Sequence, residues 1–147
     1  MPKIRECRRG GPPWDGPCTC EMGNIYRFAE PVVLLALAKL KTAHGYQIVA
    51  EVQNLAVTHA GLDSGIVYRI LRRLENAGHL VSTWDVPGRG PARRVYTVTP
   101  LGWEHLQEWA AVLEQLANSL QKLAGQCRAT ANARKACTDG HQAFRGA

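Results

Sequence analysis

Apolar residues recur along this chain in two different rhythms, and the change from one to the other outlines the fold. Helical spacing dominates up to about residue 78. From about Glu30 to Lys41, the residues Val32, Val33, Leu34, Leu35, Leu37 and Leu40 leave almost no polar face, and Pro31 suits a first helical turn. A helix of that kind is expected at the centre of a core. A second helix is predicted from about Tyr46 to Leu55, with Ile48, Val49 and Val52 as its apolar stripe. A third is predicted from about Gly65 to Ala77, with Asp63 or Ser64 as N-cap and Gly78 as its stop. The rhythm then shifts to alternation in Leu80 to Val86 and Arg94 to Val98, two strands around the Gly/Pro-rich loop 87–93. Thr99 caps a long last helix from about Pro100 to Leu123, where Leu106, Trp109, Leu113, Leu116, Leu120 and Leu123 alternate spacings of three and four.

Three helices followed by a hairpin is the plan of a winged helix-turn-helix. The predicted fold class is therefore mainly α: three helices, a two-stranded wing and a long C-terminal helix whose heptad seam suits dimerisation. The expected divisions are an irregular arm at 1–29, rich in Cys, Gly and Pro, a winged-helix domain at 30–99, the dimerisation helix at 100–124 and a loose tail at 125–147.

Charge sharpens this picture. The chain of 147 residues carries a net +6, and the excess is uneven. Between residues 63 and 99, Arg69, Arg72, Arg73, Arg89, Arg93 and Arg94 face only Asp63, Glu75 and Asp85. On the third helix, Val67, Ile70, Leu71 and Leu74 form one stripe, and Arg69, Arg72 and Arg73 fall opposite it. Like charges one turn apart repel by a few tenths of a kcal/mol; opposite DNA they neutralise phosphates and pair with guanine. A solvated arginine face is the plainer explanation of the helix alone. The basic hairpin tip just downstream tips the balance toward double-stranded DNA. Ser64 and Gly65 offer N–H groups at the helix start for a phosphate, and Tyr46 and Tyr68 add hydroxyls. The alternative use of the same surface is contact with an acidic protein.

Other chemistry is thinner. Cys7, Cys18 and Cys20 lie in the arm, where thiolates in a Gly/Pro loop suit zinc or an iron–sulfur cluster, with Cys127, a His or a partner subunit as fourth ligand. Unliganded thiols and regulated disulfide chemistry remain open beside this. Trp103 and Trp109 offer flat faces to an aromatic ligand, or simply fill an interface, and Trp84 reads as a hairpin packing residue. His59 and His79 read as solvated. No Ser/His/Asp order and no phosphate-cradling glycine loop points to an enzyme. No apolar run is long enough to span a membrane, and no secretory signal starts the chain, so a cytoplasmic location is expected.

The runs Gly45-Tyr46-Gln47-Ile48, Ser64 to Val81 (with its Tyr-Arg-x-Leu-x-x-Leu-Glu-x-x-Gly core) and Arg94 to Gly102 resemble the PadR family of transcription regulators over about residues 30–124. That resemblance implies a two-fold dimer with two recognition helices in successive major grooves. It also implies repression relieved by a signal, often a small aromatic or hydrophobic molecule. The single C-terminal helix looks like the smaller PadR subfamily. Asp63-Ser64, where many members carry proline, and the cysteine arm depart from it.

Overall fold

A computed structural model describes residues 28–55 and 62–142, with side chains to residue 137. Its elements, in chain order, are α1 (Ala29–Leu40), β1 (Thr42–His44), α2 (Gly45–Asn54), α3 (Ser64–Asn76), β2 (Leu80–Asp85), β3 (Arg93–Val98) and α4 (Pro100–Gln142). The chain divides into two units, 1–107 and 108–147.

In the first unit α1 is the central helix. Val33, Leu34, Ala36 and Leu37 are fully buried, so the helix without a polar face is enclosed as its composition demands. Against it pack Ile48 and Val52 of α2 and the stripe Val67, Ile70, Leu71 and Leu74 of α3. Each such side chain contributes about 1.5–3 kcal/mol on burial. At the surface, Lys39 Nζ donates to Glu51 Oε1 at 2.7 Å, tying α1 to α2. That hydrogen bond, with one from Asn54, holds the Glu51 carboxyl below the usual carboxylate range.

The sheet is antiparallel with order β1-β3-β2, so three strands stand where alternation predicts two. Thr42, Ala43 and His44 pair with Thr97, Tyr96 and Val95. Three residues are too short to show a period, and Lys41 before them takes a positive φ of 66° to turn the chain out of α1. Only Ala43 of β1 is buried. The hairpin pairs Leu80 with Val98 and extends to Asp85 opposite Arg93, which places Arg93 on β3 with Arg94 rather than in the loop.

The caps match their residue types. Gly65 N–H donates to Asp63 Oδ1 at 3.3 Å, so Asp63 is the N-cap of α3. Gly78 sits at φ 81°, where a side chain would be strained. Gly102 N–H donates to Thr99 Oγ1 at 3.1 Å at the start of α4. Gly102 itself passes so close to the turn before β2 that a Cβ there would lie 2.1 Å from the His79 carbonyl oxygen. Leu106, placed in the seam by its spacing, instead packs on the core of the first unit.

α4 continues through Gly125 to Gln142, well past the stop expected near Leu123. Glycine costs only about 1 kcal/mol in a helix, and the following Gln126, Arg128, Ala129, Ala131, Ala133, Arg134, Lys135 and Ala136 are good helix formers. In the second unit Trp109, Leu113 and Leu116 are half-buried, while Leu120 and Leu123 are more than half exposed. Cys127 and Cys137 are exposed free thiols on the same helix. No helix among the described residues is long and apolar enough to cross a membrane.

Candidate nucleic-acid interface

The buried stripe of α3 determines what its outer face presents. With Val67 and Leu71 sealed in the core, Tyr68, Arg69 and Arg72 project outward and are exposed. Among the described residues, Arg69 and Arg72 form no ion pair. Arg73 differs: its Nη2 donates to Glu30 Oε2 on α1. The sequence pattern groups three arginines, whereas the structure leaves two outward and holds the third.

Tyr68 lies over the start of α2. A Cβ at Gly45 would fall 2.4 Å from Tyr68 Cε1, so the tyrosine ring occupies space that only glycine leaves open. Beside it, Tyr46 is 55% exposed and stacks on His44 with ring centroids 5.6 Å apart. Gln47 fixes this corner, accepting from His44 N–H at 2.9 Å. The Arg93 guanidinium lies 5.8 Å above the Tyr46 ring, and that of Arg94 lies 5.5 Å above Trp84. Together with Tyr68 and Arg72 these groups line a cleft of about 390 Å³ between the start of α2, α3 and the hairpin. Arg72 and Arg93, Tyr46 and Tyr68 thus converge, as residues of one anion-binding surface must.

Glu75, about two turns along α3 from Tyr68, accepts from Ser82 Oγ and lies 3.6 Å from Arg94 Nη1. It braces the hairpin against α3 and partly neutralises Arg94. Trp84 is 63% exposed, so it serves as a platform for Arg94 more than as a packing residue. Arg89 lies exposed in the loop between β2 and β3.

Ser64 and Gly65 are less available than their position at the helix start suggests. Gly65 N–H is directed at Asp63 Oδ1, and Ser64 Oγ is 3.4 Å from the same oxygen. The Asp63 carboxylate already supplies the negative charge that a helix N-terminus favours, so a phosphate there would meet a like charge. His79 is not simply solvated either: its ring stacks on His105 with centroids 4.0 Å apart. Sequence reasoning missed His44, the stacking of Arg94 on Trp84, and the role of Glu30. The glycine–tyrosine pair at 45 and 46 was a usable signal for the first, but nothing local announces Glu30.

Cys7, Cys18, Cys20 and His59 lie outside the described residues. Among the described residues no cluster of three His, Cys, Asp or Glu side chains is placed to hold a metal ion.

The family model for the transcriptional regulator PadR-like family matches residues 33–108, which runs from within α1 to the start of α4. A PadR family transcriptional regulator from Eggerthella lenta is 30% identical, with a TM-score of 0.56 over 67% of this chain and 84% of that one. A transcriptional regulator from Clostridium thermocellum (19% identical, TM-score 0.59, covering 67% and 94%) shares the fold. So does a PadR-like transcriptional regulator from Bacillus cereus (19%, 0.56, covering 69% and 96%). No curated relative matches the chain. The winged-helix architecture, the outward arginine face and the matched stretch agree: this chain belongs to the PadR-like family of transcriptional regulators.

Proposed function

We propose that this regulator is a repressor that binds a palindromic operator as a homodimer. α3 enters the major groove with Tyr68, Arg69 and Arg72 toward the bases and flanking phosphates. Tyr46 and Arg93 grip the backbone beside it, and Arg89 at the hairpin tip reaches the neighbouring groove. The observation that carries this reading is the convergence of Arg72, Arg93, Tyr46 and Tyr68 on one cleft.

Dimerisation falls to Trp109, Leu113, Leu116, Leu120 and Leu123 of α4, an apolar seam that a second copy would cover by two-fold symmetry. Two recognition helices would then read half-sites about 34–36 Å apart. Release by a signal is part of this reading. The tryptophans of α4 suit a flat aromatic effector, and the cysteine arm suits a metal, cluster or redox signal.

Selection of bound duplexes from random DNA should yield an inverted repeat. On that site Arg72→Ala should cost about 1–3 kcal/mol, most of it as lost discrimination between bases. Equal binding by parent and variant would remove α3 as the reading element. Binding without a steep salt dependence would point instead to an acidic protein partner for the same arginines.

A further inference from the structure

The arginine face carries its own counter-anion. Glu30, in the first turn of α1, has a side chain only 16% exposed, and both of its carboxylate oxygens are engaged. Arg73 Nη2 donates to Oε2, and His105 Nε2 lies 2.6 Å from Oε1. The imidazole of His105 is in turn held face to face against His79. Arg73 follows Arg69 by one helical turn, so in isolation the two would repel. Its charge is directed away from them and onto α1.

A carboxylate presents a guanidinium with the same pair of acceptor oxygens as a phosphodiester. We propose that Glu30 is a positioning residue that withholds Arg73 from DNA, an internal stand-in for a phosphate. Base reading then rests on Arg69 and Arg72. This rests on the DNA-binding reading above. The Arg73 side chain is 66% exposed but that of Glu30 is not, so pulling Arg73 away would take one partner from a shielded carboxylate in exchange for one more screened phosphate contact. The benefit is selectivity. An extra phosphate contact strengthens binding to every sequence alike, so keeping one arginine back lowers attachment to random DNA while leaving base discrimination intact.

The test uses the full chain and a fixed non-operator duplex, with affinity followed by fluorescence anisotropy from about 50 to about 200 mM salt. Glu30→Gln should free Arg73, steepen the slope of log affinity against log salt by about 0.9, and tighten binding about five- to tenfold near 0.1 M. In Glu30→Gln combined with Arg73→Ala that gain should vanish. Arg73→Ala alone should leave the parent's slope unchanged, a comparison that stands whatever the folding of the Glu30 variant. The proposal is overturned if the gain persists without Arg73, since removal of a negative charge would then suffice. It is equally overturned if Arg73→Ala flattens the parent's slope by about 0.9, because Arg73 would already touch DNA. A parent with ordinary salt-dependent binding and a silent Glu30→Gln sinks this inference alone. A parent that binds no DNA sinks the DNA-binding reading along with it.

Discussion

The stripes of α3 and α4 have nearly the same regularity and opposite fates. Val67, Ile70, Leu71 and Leu74 are at most 7% exposed, whereas Leu120 and Leu123 stand at 54% and 56%. Periodicity reports which residues share a face, and says nothing about what lies opposite. For α3 the opposite surface is α1 of the same chain. For α4, in the dimer proposed above, it would be a second copy, and the contrast would then separate stability that is intramolecular from stability that depends on concentration.

The harshest way to break the contrast is Leu113→Asp together with Leu120→Asp. If the seam is a dimer interface, losing two apolar contacts from each copy should remove at least about 6 kcal/mol, giving monomers by sedimentation. A dimer that survives would refute the assignment. Leu71→Ala probes the other stripe and should cost about 2–5 kcal/mol in thermal or urea unfolding. That loss should be the same at every protein concentration, while the parent's midpoint should rise with concentration. Arg89→Ala should have the smallest effect, flattening the salt slope of DNA binding by about 0.9 with equal weakening on all sequences and no change in fold. A base-specific loss would place the hairpin tip on base edges instead.

Much of this was legible before any coordinates. The buried α1, a cap at Asp63 or Ser64, the turn at Gly78 and the two strands of the hairpin all follow from residue type and spacing, because each is decided within a few neighbouring positions. Asp63 could also have warned that the N–H groups after it were spoken for. The rest depends on residues far apart in the chain. β1 exists because β3 offers it an edge, and Leu106 leaves the seam because the core reaches it. Arg73 meets Glu30 across a separation no helical wheel records. α4 outran its expected end because a lone glycine is a weak stop when strong helix formers follow it.

The vacancy at residue 45 has a reach that its size conceals. Whatever Tyr68 does on the outer surface, its ring can be there only while the opening residue of another helix carries no side chain. Anyone redesigning specificity at 68 inherits that condition: a smaller residue leaves a slot that a methyl at 45 could refill, while the methyl alone evicts the ring. The two positions will therefore tolerate exchange together far better than either tolerates it alone.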